Sequence, residues 1–189
     1  MAAVAASVKR GILKLGKIEL EKLVLKAASM NKEFHDYLLV NVINKDDGGR
    51  IRFEAAKSDL AVLMNKQYRG RSEELRLAEM LIACNKKVVA FSKVCKDKKL
   101  ELDLIADVLA FTFAHRACRF GTCFTKFDYQ VYLLVKKAVT IFNTKLQREY
   151  KNESAGIINQ FLRQLHERCS HLDYVYDMPN EVIWEESSL

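Results

Sequence analysis

Ser72–Arg119 reads SEELRLAEMLIACNKKVVAFSKVCKDKKLELDLIADVLAFTFAHRACR, and the apolar spacing of this stretch decides the fold. Leu77, Leu81, Cys84, Val88, Phe91 and Cys95 recur at steps of four, three, four, three and four. That is the repeat of one helical face, and Lys86 and Lys93 fall on the opposite side of the wheel. Leu104, Val108, Phe111, His115 and Cys118 repeat the pattern, and Ile105, Leu109 and Phe113 widen it. A helix apolar on most sides belongs inside, so the spacing places 98–119 at the centre of the core.

Outward from this stretch the chain keeps the same character. It contains one proline, Pro179, and seven glycines, too few for a turn-rich β fold. Caps and breakers predict helices over 18–28, 31–43, 50–68, 72–95, 98–119, 126–150 and 153–171. Ser72 and Asp97 have the short side-chain oxygens of N-caps, and Gly121 suits a left-handed helix end. Asn44–Gly49 (NKDDGG) reads as a loop and as the internal boundary. The expectation is an all-α fold of about seven helices, a short N-terminal hairpin followed by five longer helices. Short connections make it a helical bundle or stacked α-hairpins.

With 189 residues the chain suits one helical domain over 1–189. Residues 1–17 read as a flexible basic lead-in. They lack the continuous apolar centre of a secretory signal, and a mitochondrial presequence is the less favoured reading of their bias. Residues 173–189 read as an acidic tail, part of which docks through Tyr174, Tyr176 and Trp184. Five cysteines, an odd number with irregular spacing, argue for a reducing, cytoplasmic setting. No apolar run reaches the roughly 18 residues of a spanning helix, so no membrane partner is expected.

The pattern Leu20-x2-Leu23-x9-Glu33-Phe34-x2-Tyr37-Leu38, followed by Cys95-Lys96-Asp97-Lys98-Lys99-Leu100-Glu101-Leu102-Asp103-Leu104, resembles a small all-helical family of bacterial proteins of unknown function. The resemblance covers about 20–150 and implies a helical fold. That family carries no assigned site residues, so the resemblance implies nothing about activity.

The motifs of common chemistry fail one by one. Gly48-Gly49 lacks the lysine and hydroxyl of a phosphate loop and reads as a flexible turn. His166 and His171 are five residues apart, whereas a zinc-protease helix needs four to put both imidazoles on one face. Cys84, Cys95, Cys118 and Cys169 lie on apolar stripes, where a thiol is a small hydrophobe. Cys123, near Arg116, Arg119 and Lys126, is the cysteine best placed for a lowered pKa. His115-x-x-Cys118 and His166-x-x-Cys169 could form a Cys2His2 zinc site only if their helices met in register. No metal and no cofactor are expected.

Two clusters remain. Asp103 and Asp107, four apart on the most apolar helix, would need cationic partners if buried. With His115, Arg116 and Arg119 they form a candidate polar pocket. Lys86, Lys93, Lys96, Lys98 and Lys99 form a candidate phosphate-binding patch, although only Phe91 is interleaved and no arginine is present to read bases. The net charge of +7 permits such contact without requiring it. The favoured expectation is a non-enzymatic helical module that binds a macromolecule, in the first place a protein. The alternatives are a nucleic-acid-associated protein using 86–99, and an enzyme of unrecognised type around Asp103, Asp107, His115 and Arg116.

Overall fold

The computed structural model describes residues 4–121, 126–169 and 173–184. Among them every regular element is a helix: α1 Ala6–Ile12, α2 Lys17–Met30, α3 Lys32–Leu38, α4 Gly48–Asn65, α5 Glu73–Val94, α6 Lys98–Ala114, α7 Lys126–Thr144, α8 Lys151–Cys169 and α9 Asp173–Tyr176. A π-helical turn, Leu39–Ile43, extends α3, and a 3-10 turn, Arg148–Tyr150, leads into α8. The all-α expectation holds, and the number of helices exceeds seven because α1 and α9 form where a lead-in and a tail were expected.

Packing follows the stripes. α5 lies against α3, α4, α6 and α7, and α6 lies against α4, α5, α7 and α8. Leu77, Leu81, Cys84, Val88, Phe91 and Cys95 are all buried, as their spacing requires. Leu104, Ile105, Val108 and Leu109 are buried on α6, but Phe111 is only half-buried on the rim of the core. The centre is therefore shared among α5, α6 and α7, and Phe111 is not the central side chain its stripe suggested.

Local chemistry sets the ends. The Ser72 hydroxyl accepts from Leu75 N at 3.2 Å, and an Asp97 carboxylate oxygen accepts from Lys99 N at 2.9 Å and Leu100 N at 3.2 Å. These bonds satisfy first-turn donors that have no carbonyl behind them. α6 stops at Ala114, short of the expected 119. His115 turns extended, and its Nδ1 accepts the Ala117 N–H at 3.1 Å, a donor that a continuing helix would give to Phe113. Gly121 does take a left-handed φ of 74°, but well past the helix end. There its N–H donates to the buried Asp128 at 3.1 Å.

Gly48 and Gly49 are not a flexible turn. They begin α4, and a Cβ on Gly48 would come within 2.8 Å of Val40 Cα and 3.0 Å of Val40 O. The same segment is tied to the body by Asn41, whose Nδ2 donates to Val94 O at 2.8 Å and to Tyr37 O at 3.0 Å. At the other end the tail docks on α8. Val175, Met178 and Val182 are buried, and Asn159 exchanges two hydrogen bonds with the Val182 backbone. Lys151 Nζ sits 4.5 Å above the Trp184 ring, whereas Tyr176 is exposed.

Among the described residues two carboxylates are held inside, Asp128 and Glu101. Glu101 is 3% exposed, and Lys98 and Lys137 approach its two oxygens at 2.6 and 2.9 Å. No helix among the described residues is long and apolar enough to cross a membrane.

Candidate functional site

The early end of α6 opens a cleft. Met64 at the end of α4, the connection 66–68, the first turns of α5 and the residues closing α6 surround about 460 Å³ of concave space. This lies within the ordinary range for ligand sites. Its floor is apolar: Met64, Leu77, Met80 and Phe111. Its rim is mostly cationic, with Lys66, Arg76 and Arg116 beside His115 and the single carboxylate of Glu73.

The connection between α4 and α5 is pinned in three places. Tyr68 donates its hydroxyl to Leu63 O at 3.0 Å. Burial, with a smaller contribution from Cys84, pushes the Tyr68 hydroxyl above its usual pKa, which keeps that donor protonated. Gly70 lies so close over α5 that a Cβ would be 3.0 Å from Arg76 Cγ and 3.1 Å from Arg76 N. The Ser72 cap then starts α5 beside it. On the facing side, His115 leans on Phe111 with ring centroids 6.0 Å apart, and Arg116 reaches Glu73 at 3.6 Å. Both partners of that contact are well exposed, so it orients Arg116 without neutralising the rim.

Of the five residues expected to form a polar pocket, only His115 and Arg116 line this cleft. Asp103 faces α8, where Lys99 pairs it at 2.7 Å and reaches Glu153 at 3.4 Å. Asp107 pairs across to Lys57 of α4 at 3.4 Å. Arg119 is exposed near Glu74 and lies outside the cleft lining. The two aspartates are compensated locally by lysines, and they share no site with the imidazole. Sequence reasoning missed Lys66, Tyr68, Arg76 and the two methionines. No spacing rule links residues 64–80 to 111–116; only the packing of α4, α5 and α6 does.

The lysine patch is largely committed elsewhere. Lys93 pairs with Glu33 at 3.1 Å, Lys98 with Glu101 and Lys99 with Asp103. Lys96 lies 5.8 Å from the Tyr37 ring, on the rim of a second cleft of about 570 Å³. There Lys45, Arg50 and Lys96 are matched by Asp46, Glu54 and Asp97, the last already spent as a cap. Lys86 is exposed.

The described cysteines are held as thiols. Burial pushes the Cys84 thiol up to about 12 and raises Cys169 further. It also raises Cys95, and it raises Cys118 despite Arg168 at 3.7 Å. These groups stay protonated near neutral pH. Among the described residues no three His, Cys, Asp or Glu side chains converge as metal ligands. His115 faces the cleft and His166 contacts Pro179 O at 3.1 Å, so the two His-x-x-Cys pairs do not meet at one point. Cys123 and His171 lie outside the described residues.

Searches against protein families, curated proteins and solved structures find no match to this chain. The resemblance over 20–150 therefore carries no argument, and the helical fold rests on the structure alone.

Proposed function

We propose that this chain is a non-enzymatic helical interaction module that receives a protein segment in the cleft between α4, α5 and α6. The observation that carries the reading is the pairing of an apolar floor, half of it methionine, with a rim richer in cations than in carboxylates. Methionine side chains adapt to differently shaped apolar partners. Exposed arginine and lysine around such a floor select acidic flanks. In this reading α4 to α8 are a helical bundle that serves as scaffold, and the segment received is an acidic peptide with apolar anchors. The reading needs no cofactor.

The ion pairs of Lys93, Lys98 and Lys99 count against nucleic acid, because counterion release requires cations not already matched by protein carboxylates. The separation of Asp103 and Asp107 from His115 counts against an enzyme built on those residues.

Fluorescent peptides that combine leucine or phenylalanine with glutamate, compared with lysine-bearing versions of the same peptides, test the proposal by anisotropy. The acidic set is expected to bind the full chain, and Arg76→Glu with Arg116→Glu is expected to abolish binding without shifting the melt. Equal binding of both sets, or affinity indifferent to those two changes, would sink the cleft as the docking site.

A further inference from the structure

The body and the N-terminal arm treat their cations differently. In the body most lysines of the 86–99 stretch meet carboxylates. Over 4–18 the chain carries Lys9, Arg10, Lys14 and Lys17 and no acidic residue. Among the described residues Lys9, Arg10 and Lys14 enter no ion pair, and Lys17 has only a 3.9 Å contact to Glu21.

Apolar side chains share this arm. Val4, Val8, Ile12, Leu13 and Ile18 are all exposed, Leu13 at 75% and Ile18 at 68%. α1 and α2 contain no buried residue. Val8 and Ile12 are four apart on α1 and share one line of the helix, with Lys9 and Arg10 on other faces; Val4 precedes the helix, and Leu13 and Lys14 lie in the turn that follows it. A short basic helix with one apolar line and no acid matches a surface that is negative outside and apolar just beneath.

The described acidic segment, 173–184, buries Val175, Met178 and Val182 but leaves Tyr176 and Ile183 exposed, so a second copy of this chain is the competing occupant that the test below separates. The lack of a spanning helix bears on crossing a bilayer, and a helix lying in the interface plane is a separate case.

We propose that residues 4–18 lie in the interface of an anionic phospholipid surface, with Val8 and Ile12 of α1 turned toward the acyl boundary and Lys9, Arg10, Lys14 and Lys17 among the headgroups. This attachment is independent of the cleft. The arm holds the chain at the surface, while the cleft opens between α4, α5 and α6 of the body.

Co-sedimentation of the full chain with vesicles of phosphatidylcholine, alone or with about one-third phosphatidylserine, tests this. Binding is expected on the anionic vesicles only and is expected to weaken between ~50 and ~200 mM salt. Each basic residue near such a surface contributes about fivefold, so Lys9→Gln, Arg10→Gln and Lys14→Gln together lower partitioning roughly a hundredfold. Val8→Asp with Ile12→Asp removes binding and leaves the melting of the body unchanged, since neither residue is buried. No pelleting with anionic vesicles would overturn the proposal. So would equal pelleting with neutral vesicles, or binding that ignores the charge changes. An arm-dependent dimer in sedimentation velocity, without lipid binding, would assign the arm to a second copy and overturn it too.

Discussion

Replacing Glu101 by glutamine keeps the shape of the side chain and removes its charge. Glu101 is 3% exposed, accepts a hydrogen bond from Lys98 at 2.6 Å and is ion-paired with Lys137 at 2.9 Å through its other oxygen. Removing one member of a buried ion pair costs about 3–5 kcal/mol, because the other charge is left without compensation. Lys98 can swing toward water and recover part of that, whereas the Lys137 ammonium is itself buried, so the expected cost is ~3–5 kcal/mol at neutral pH. Urea unfolding followed by circular dichroism measures it. The pH dependence follows from the carboxylate. Burial alone would raise its pKa, but the hydrogen bonds and charges of Lys98 and Lys137 outweigh burial and hold it below the ordinary 4.5. The unfolded chain therefore binds this proton more readily than the folded one. The stabilisation is complete above the unfolded value and is lost as pH falls through the folded one. The gap between parent and Glu101→Gln is thus expected to shrink below about pH 4.5. Lys137→Met added to Glu101→Gln is expected to recover part of the loss. A variant within ~0.5 kcal/mol of the parent at pH 7, or a gap that widens in acid, would refute the account of this network.

Phe142 is fully buried and Phe111 is not, so Phe142→Ala is expected to cost ~3–5 kcal/mol and Phe111→Ala less than half of that, as read by thermal or urea melts. The two glycines at positions 48 and 156 should behave oppositely. Gly156→Ala, in mid-α8 with nothing within 4 Å of the new methyl, is expected to stabilise by ~0.5–1 kcal/mol. Gly48→Ala, which meets the Val40 backbone at 2.8 Å, is expected to destabilise by ~1–3 kcal/mol. Cys84, with its thiol pushed up to about 12, is expected to resist alkylation at pH 8 until the chain unfolds, as mass spectrometric mapping would show. Labelling of native Cys84 at the rate of a free thiol would contradict its burial.

The long helices were legible because their signals are local. The α5 stripe and the Ser72 and Asp97 caps involve residues a few positions apart, and physics at that range leaves few alternatives. The overrun of α6 shows the limit. Nothing in FAHRACR marks His115 as the residue whose ring takes a backbone donor, because an imidazole does so only when the chain beyond it has somewhere else to pack. Gly48 misled for a related reason. A Gly-Gly pair signals a turn by itself, but here the missing Cβ lets two backbones approach. Of the candidate pocket, His115 and Arg116 were found and their neighbours Met64, Lys66 and Arg76 were not. Which helix faces which is a matter of tertiary packing, and no periodicity within one helix encodes it. Asp103 and Asp107 drew notice as charges on an apolar helix; the Lys99 partner of Asp103 stands four residues away on the same helix, whereas the Lys57 partner of Asp107 comes from α4 and could be recognised only from the packing.

α1 and α2 contribute no buried side chain, whereas α5, α6 and α7 contribute most of theirs to one shared core. A helix that buries nothing is held by its own hydrogen bonds and by whatever it touches lightly, so its opening is governed by a helix–coil equilibrium near balance. The core helices open only when the whole of their packing is surrendered at once. On heating, the arm sheds its helical signal gradually, ahead of any cooperative step. The ellipticity of this chain is therefore a sum over two thermodynamic units, and only the portion that vanishes in a single transition measures the stability of the fold.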